Sequence, residues 1–453
     1  MKKILSLILA TFMVFSLCSC TKDPQNSSSE SVEVEVEQII VDQTGSTITE
    51  SSDETTSENN SSVDKPIEEN NNDVNNNSSS NNVSTNSSKF SVIDKYKNLV
   101  VEVDLCDDIV RGYLDAKDTR NQYYWLSTYS GTKYDYQKLY LDWYSDGSLE
   151  YTVHFSESAN FSNEFIIKTK YNTIENATLV PGKTYYYKVT GTINSDVLGS
   201  GQIKVKDAPV RWIDIDGVGN VRDMGGWKAE GGKTVKYGML YRGKALGSFD
   251  RKKQQQPTIF VTDEGLATIK QLGFKTELDV RYDYQKFETP NTGMNYEFIE
   301  HPGQYDNVMT NKPEVFKASY RRVFELLADK SNYPFYAHCN AGADRTGTFA
   351  FIVNGVLGVS YEDLTRDFEL TSFSSSGKRW RGKGLGGDFG ADDDVMQEDS
   401  SNTVAWGRLY KKMMEYGSQN GCTTLQESIE HWLLNYIGVK QSQIDNFKSI
   451  VLE

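Results

Sequence analysis

The spacing of apolar and polar positions changes several times along the chain. Residues 4–17 are a predominantly apolar run, whereas residues 23–88 contain few apolar side chains. From about 95 to 208, aromatic and β-branched residues alternate with polar ones in short runs between turn residues, which predicts β-strands. After about 210, runs with strand spacing are followed by runs with helix spacing, and this order predicts an α/β domain.

The N-terminal apolar run has the length of a signal peptide. Two lysines precede it, and about fourteen residues are too few to span a bilayer as a helix. The run ends in Leu-Cys-Ser-Cys at 17–20, which resembles a bacterial lipobox, whose cysteine is lipidated. The resemblance implies a lipoprotein signal over 1–20, a lipid on Cys20, and a location on the extracytoplasmic side of a bacterial cell membrane. An ordinary secretory signal is the alternative.

Residues 21–92 are predicted to form a disordered tether, because Ser, Asn and Glu dominate a segment that cannot bury much apolar area. Residues 23–88 contain fourteen acidic residues and one lysine, so most of the net charge of −15 belongs to them. The remainder is only mildly acidic. The composition therefore gives no indication of nucleic-acid binding.

Residues 93–208 are predicted to form an all-β domain. The sequence Leu-Val-Pro-Gly-Lys-Thr-Tyr at 179–185 resembles the Leu-x-Pro-Gly-x-x-Tyr corner of fibronectin type III domains. Tyr185, Tyr187 and Val189 then alternate on one face, as a sandwich strand requires. The resemblance implies a fibronectin-like β-sandwich that serves as a spacer or binding module.

The clearest chemistry lies in residues 338–347, His-Cys-Asn-Ala-Gly-Ala-Asp-Arg-Thr-Gly. The apolar run 333–337 precedes them and predicts a buried strand, and residues 346–357 have the spacing of a helix. The order of strand, tight loop and helix directs the loop N–H groups and the positive end of the helix dipole at one spot. An anion or a thiolate is stabilised there.

The residue types of this loop suit phosphate chemistry. Cys339 beside an arginine at a helix N-terminus is expected to have a lowered thiol pKa and to act as a nucleophile. Arg345 can hold two phosphate oxygens in a planar fork, and Thr346 can offer its hydroxyl to the sulfur. Backbone N–H groups for the other oxygens come from Asn340, Ala341, Gly342 and Ala343.

Residues 338–347 resemble the His-Cys-x-x-Gly-x-Asp-Arg-Thr-Gly signature of the cysteine-dependent protein tyrosine phosphatases. They are most similar to a bacterial tyrosine/dual-specificity branch that reads His-Cys-x-Ala-Gly-Lys-Asp-Arg-Thr-Gly. Further motifs of that branch are resembled at 220–226, 237–242 and 278–281. The resemblance implies a tyrosine phosphatase domain over 210–453 that needs no metal or cofactor. The branch's lysine, associated with phosphoinositide binding, is Ala343 here, which disfavours such substrates.

The resemblance leaves the proton donor open between two residues. Asp344 lies in the loop and matches the residue suspected of this role in the branch. Asp306 lies about thirty residues before the cysteine, near the place where many tyrosine phosphatases carry their acid on a mobile loop. Six further residues are expected to support the loop rather than react: His338, Asp279, Arg281, Asn220, Arg222 and Asp223.

These features predict the hydrolysis of phosphate monoesters, first of all protein phosphotyrosine, through a cysteinyl-phosphate intermediate. The expected partners are a phosphorylated protein or small phosphorylated substrate and, through the lipid anchor, a membrane; nucleic acid is not expected. The alternatives are a phosphatase for lipid or sugar phosphates and a non-catalytic, phosphate-binding adhesin module. The basic stretch 378–383 either borders the substrate entrance or is a solvated loop.

Overall fold

The computed structural model describes residues 83–84, 89–91, 99–131, 137–176, 178–193, 196–310, 312–381 and 405–453. The chain divides into two compact units, Met1–Asn77 and Ser78–Glu453, and every described residue belongs to the second. The predicted signal over 1–20, its Cys20 and most of the predicted tether lie outside the described residues. Within the described residues, no helix is both long and apolar enough to cross a bilayer.

Two packed sheets are formed by the described strands that precede residue 210. These strands are β1 (Val83–Ser84), β2 (Lys89–Ser91), β3 (Leu99–Val103), β4 (Leu139–Asp142), β5 (Tyr151–Ser156), β6 (Phe165–Thr169), β7 (Thr173–Asn176), β8 (Thr184–Gly191) and β9 (Val197–Val205). One sheet has the order β1-β3-β9-β8-β5-β6 and the other β2-β4-β7. Alternate side chains of β4, β5 and β8 are buried, and a core that includes Leu141, Val153 and Val189 lies between the sheets.

The first two strands, β1 and β2, lie within residues 21–92, which were predicted to form a disordered tether. Val83 pairs with Val101 in β3, and Lys89 pairs with Tyr140 in β4, both in parallel. The prediction of disorder up to residue 92 is therefore wrong for these strands. Main-chain pairing along the edge of a sheet does not require the apolar side chains on which the prediction depended.

Two helices interrupt the strands, so the prediction of an all-β domain over 93–208 is also wrong. They are α1 (Asp108–Asp115) and α2 (Thr119–Tyr129), and Asp107 and Asp118 cap them by accepting from backbone N–H groups. Val110, Tyr113 and Leu126 are fully buried in the same core as the C-terminal domain. Their apolar face is therefore covered by the α/β domain rather than by the sandwich.

The predicted corner is present in the sandwich. The Tyr185 hydroxyl accepts a hydrogen bond from the N–H of Val180 at 3.2 Å, which ties the start of β8 to the preceding turn. This contact has the form of a tyrosine corner. The assignment to the fibronectin type III class itself stays a prediction.

The C-terminal domain is built on a five-stranded sheet in the order β10-β11-β16-β14-β15. Its strands and a separate hairpin are β10 (Arg222–Asp223), β11 (Leu240–Lys244), β12 (Gly247–Ser248), β13 (Thr258–Ile259), β14 (Thr276–Asp279), β15 (Asn295–Phe298) and β16 (Phe335–Cys339). β11, β16, β14 and β15 are parallel, and β10 is an antiparallel edge strand. The carboxyl ends of the central strands therefore meet at one edge, where α/β sheets carry their sites.

Helices cover this sheet. They are α3 (Asp263–Leu272), α4 (Pro313–Leu327), α5 (Asp344–Val356), α6 (Tyr361–Leu370), α7 (Ala405–Gln419), α8 (Leu425–His431) and α9 (Gln441–Val451). α5 is buried along almost its whole length, and α8 continues into a π-helical turn, Trp432–Ile437. The α/β architecture predicted for 210–453 is confirmed in outline.

Candidate active site

The functional loop lies at the carboxyl end of the central strand β16. The strand ends at Cys339, residues 340–343 turn, and α5 begins at Asp344. Gly342 has a φ of 65°, and a Cβ there would lie 2.3 Å from the carbonyl carbon and oxygen of Gly243. This position requires glycine, because the neighbouring main chain passes too close for a side chain.

Cys339 is 2% exposed, and its surroundings favour the thiolate. Burial alone would raise the pKa of the thiol, but the charge of Arg345 and the neighbouring Thr346 outweigh burial and lower the pKa below its usual value. The Thr346 Oγ1 is itself buried and forms no hydrogen bond of standard geometry with any described residue. This hydroxyl is therefore available to the sulfur.

Arg345 is held from two sides. Its Nη1 donates to Oε1 of Gln285 at 3.1 Å, and its guanidinium carbon lies 4.5 Å from the centre of the Tyr282 ring. Tyr282 in turn stacks on Tyr284, with ring centres 5.3 Å apart and planes inclined by 10°. An amide oxygen and an aromatic face thus fix the guanidinium, and its remaining N–H groups can bind an anion.

Buried side chains hold the carbonyl groups of the loop. Asn220 Nδ2 donates to the carbonyl of Ala341 at 3.0 Å. Arg242 Nη2 donates to the carbonyls of Gly342 and Ala343 at 2.8 and 3.2 Å. With these carbonyl groups engaged on one side, the N–H groups of the loop are directed to the other side, where they can form an anion nest.

Asp367 on α6 links two of the supporting arginines. Its Oδ1 accepts from Arg222 Nε at 2.9 Å and its Oδ2 from Arg242 Nη1, and Arg222 Nη1 also donates to Oδ1 of Asn220 at 2.5 Å. Burial alone would raise the pKa of Asp367, but the two guanidinium groups lower it below its usual value. The carboxylate is therefore charged at neutral pH and binds the loop support into one network.

Asp279 and Arg281 brace the neighbouring segment rather than the loop. The Arg281 guanidinium donates to both carboxylate oxygens of Asp279 at 2.8 Å and to the carbonyls of Gly247 and Phe287 at 2.9 and 3.1 Å. The segment between Arg281 and Phe287 carries Tyr282 and Gln285. The pair therefore acts on the site through the residues that hold Arg345.

Two other predicted supporting residues contact elements outside the loop. His338 Nε2 lies 2.9 Å from Oε1 of Glu277 on β14, and both side chains are buried. Asp223 accepts from the N–H groups of Gly225 and Gly238 at 2.9 and 2.7 Å. Asp223 therefore stabilises the turn between β10 and β11, and it also accepts from Arg211 Nη1 at 2.9 Å.

Asp344, the first residue of α5, is closely held by two side chains. Its Oδ1 accepts from Arg379 Nε at 2.7 Å and its Oδ2 from Arg379 Nη2 at 2.8 Å. The Tyr305 hydroxyl also donates to Oδ1. The carboxylate thus lies in the loop, as predicted, but in a bidentate ion pair.

Asp306 is directed towards α7. Its Oδ2 accepts from Lys412 Nζ at 2.6 Å and lies 3.4 Å from Arg408 Nε. Burial alone would raise its pKa, but Lys412 and Arg408 lower the pKa of this carboxyl. The structure therefore separates the two candidate proton donors: one is in the loop, and the other joins the 3₁₀ helix Tyr305–Met309 to α7.

Comparison with known proteins agrees with this site. A family model described as "Tyrosine phosphatase family" matches residues 213–453, just over half of the chain. The chain belongs to the tyrosine phosphatase family. Its family domain begins close to the predicted boundary at 210 and contains the whole of the loop and its support.

Two individual proteins show the extent of similarity to this tyrosine phosphatase family member. A protein of Cupriavidus necator H16, named as an inferred tyrosine-protein phosphatase (H16_A0669), is 24% identical over 179 residues. The match covers 34% of this chain and 61% of the relative's length. The core catalytic domain of the PP-IP phosphatase SIW14 of S. cerevisiae, solved with citrate, is 17% identical, with 40% of this chain and 88% of that chain covered and a TM-score of 0.21.

Several residues of the phosphatase site were not predicted. Arg242 lies in a stretch that resembles the family, but nothing in its local sequence indicates that it contacts the loop. Asp367, Gln285, Tyr282 and Arg379 reach the site from segments distant in sequence. The basic stretch at 378–383 was a candidate border of the substrate entrance, and its Arg379 is engaged with Asp344 rather than solvated.

Proposed function

We propose that this chain hydrolyses phosphate monoesters, with protein phosphotyrosine as the substrate, through a phosphocysteine at Cys339. The observation that carries the proposal is the position of Cys339, which is buried at the carboxyl end of β16 and is followed by the loop and the start of α5. The charge of Arg345 and the neighbouring Thr346 lower its thiol pKa against the opposing effect of burial. A thiolate next to a preformed anion nest is the arrangement that nucleophilic attack on a phosphate ester needs.

In the first step, Sγ of Cys339 attacks phosphorus. The S–P bond forms while the bond from phosphorus to the phenolic oxygen breaks, and that oxygen takes a proton from the general acid. Arg345 and the loop N–H groups bind the equatorial oxygens, whose charge is stabilised in the transition state.

In the second step, water attacks the phosphocysteine and gives its proton to the same carboxylate. The S–P bond breaks, inorganic phosphate leaves, and the electron pair returns to sulfur. The Thr346 hydroxyl, buried next to Cys339, supports the departing thiolate by donating to it.

We assign the proton transfer to Asp344. It belongs to the loop, and its charge acts directly on the Cys339 thiol. Asp306 is engaged with Lys412 and Arg408 on α7, and the lowered pKa of its carboxyl makes it a poor proton donor near neutral pH.

The aromatic leaving group is favoured by Tyr282. Its ring lies against the guanidinium that binds phosphate, which places an aromatic side chain beside the phosphate site. Ala343, in place of the lysine of the similar branch, gives the loop no extra cation for a polyphosphorylated lipid. Both features favour phosphotyrosine.

Location and the role of the sandwich belong to the same proposal. The lipobox-like sequence at 17–20 supports a lipid on Cys20 and an extracytoplasmic position on a bacterial membrane. The two sheets and the Tyr185 corner support a fibronectin-like spacer or binding module. Labelling with a radioactive fatty acid tests the anchor: it is expected in the wild-type chain and absent from Cys20→Ala.

The catalytic proposal is tested with the full chain purified in detergent, without added metal. Phosphotyrosine, phosphoserine and phosphoinositide substrates are compared in the wild type and in Cys339→Ser. We expect turnover of phosphotyrosine peptides that Cys339→Ser abolishes. Equal rates in the two proteins would disprove the nucleophile, and binding without turnover by the wild type would favour the adhesin alternative.

A further inference from the structure

The segment from Ser374 to Arg379 borders the loop and is anchored through its main chain. The Arg379 N–H donates to Ser372 Oγ at 2.7 Å, and the same hydroxyl lies 2.7 Å from the Arg379 carbonyl oxygen. A Cβ on Gly219, next to the Asn220 that supports the loop, would lie 2.4 Å from Ser375 Oγ. The backbone of Arg379 is thus held beside the active site, and its side chain can change position without breaking these main-chain contacts.

The Arg379 guanidinium has donors beyond those that hold Asp344. Nε and Nη2 bind the carboxylate, and Nη1 donates to the carbonyl of Lys378 at 2.7 Å. A guanidinium carries five N–H groups, so one further N–H on each of Nη1 and Nη2 can meet another anion.

The ion pair conflicts with the role proposed for Asp344. A general acid must present a carboxyl oxygen to the leaving group, whereas Arg379 occupies both carboxylate oxygens of Asp344. The other groups around Asp344 are the Tyr305 hydroxyl and, in the same loop, the Cys339 thiolate and Arg345. Arg379 is the group that contacts both carboxylate oxygens, so its release would free the carboxyl group to face the leaving group.

We propose that Arg379 is a specificity-determining residue that releases Asp344 when it binds a second anionic group of the substrate, the carboxylate of an acidic residue beside the phosphotyrosine. This inference rests on the proposed function. Once Arg379 is drawn to the substrate, Asp344 takes a proton from solvent and passes it to the phenolic oxygen as the P–O bond breaks. An acidic neighbour thus raises the rate of the chemical step and not only the affinity.

The experiment compares kcat for two phosphotyrosine peptides that differ only in having glutamate or alanine on both sides of the phosphotyrosine. General acid catalysis contributes on the order of 10²–10⁴ in rate. We expect the wild-type chain to turn over the acidic peptide with a kcat at least about tenfold higher. In Arg379→Gln the two kcat values are expected to converge, because Asp344 is released with either peptide.

Two substitutions serve as comparisons for Arg379→Gln. Arg379→Lys keeps the charge but cannot bind both carboxylate oxygens in one plane, and it should give an intermediate ratio. Arg322→Gln removes the same charge from a half-exposed position on α4, so it should keep the wild-type ratio. Melting temperatures of all variants show whether each is folded.

The outcomes distinguish the proposed release of Asp344 by Arg379 from the underlying mechanism. Asp344→Asn should slow the first-turnover release of the dephosphorylated product from both peptides, but not the first-turnover burst of 4-nitrophenol from 4-nitrophenyl phosphate, whose leaving group departs without a proton. If Asp344→Asn has no effect on any substrate, the proposed proton donor is wrong. If Asp344→Asn behaves as expected but Arg379→Gln retains the wild-type kcat ratio, or changes KM alone, only the proposed release of Asp344 by Arg379 is wrong. Another outcome is that the enzyme turns over an aryl bisphosphate faster than an aryl monophosphate but the two peptides at equal rates. That result would overturn the assignment of the second anionic group to an acidic residue of the peptide.

Discussion

Replacing Asp367 by asparagine removes the carboxylate that lies between Arg222 and Arg242. All three side chains are at most 5% exposed, so the two guanidinium groups would stay buried without their counter-charge. Breaking a buried ion pair in this way costs about 3–5 kcal/mol of folding free energy. For a domain of about 240 residues, 1 kcal/mol corresponds to about 2–4 °C in melting temperature, so we expect a decrease of about 6–20 °C.

Asp363→Asn is the matched control for this substitution. Asp363 lies on the same helix, loses the same charge and pairs at 3.2 Å with Arg366, but both side chains are over 20% exposed. Such a pair contributes at most about 1 kcal/mol. Thermal unfolding followed by circular dichroism compares the two variants. Equal melting temperatures for Asp367→Asn and Asp363→Asn would refute the argument that the buried network stabilises the domain.

The difference in stability between the wild type and Asp367→Asn is predicted to depend on pH. Arg222 and Arg242 lower the pKa of Asp367 against the opposing effect of burial, so its stabilisation is fully present above the unfolded-state pKa of about 3.9. It is lost as the pH falls through the lower folded-state pKa. The difference in unfolding free energy between wild type and Asp367→Asn should therefore be constant from about pH 5 to 7 and shrink below about pH 4.

Three further perturbations test other parts of the domain. Gly342→Ala should reduce kcat/KM by about 100-fold because the loop must move away from Gly243, whereas Gly421→Ala, also at positive φ but with open space around it, should leave kcat/KM unchanged. At neutral pH, iodoacetamide should label Cys339 before Cys106, because burial raises the pKa of Cys106 to about 12; mass spectrometry that finds Cys106 labelled first would contradict this. Deleting the chain before residue 210 removes α1 and α2 and should lower the melting temperature relative to a chain that begins at Ser78; an unchanged value would show that the two helices do not stabilise the domain.

The sequence was sufficient to predict the catalytic loop, because the residues that carry its chemistry are close together in the chain. Cys339, Arg345 and Thr346 lie within eight positions of each other, and a strand before them and a helix after them determine their arrangement. The helix α1 also has a signal in the sequence. Val110, Tyr113 and Leu114 have helical spacing and follow a capping aspartate, although the surrounding alternation suggested strands.

The residues that hold the loop could not be predicted, because their partners are distant in the chain. Arg242 and Asp367 are 125 positions apart, and Asp344 and Arg379 are 35 positions apart. No local pattern encodes such pairs. For the same reason, the sequence offered Asp344 as one of two candidate proton donors but could not indicate that an arginine already holds it.

Trapping the intermediate tests the central claim most directly. The wild-type chain is mixed with a phosphotyrosine peptide, quenched in acid within the first turnover and examined by mass spectrometry of its peptides. We predict a phosphate on the peptide that contains Cys339, and none in Cys339→Ser. Phosphate release by the wild type without a phosphorylated Cys339 peptide at any time would contradict covalent catalysis by this thiol.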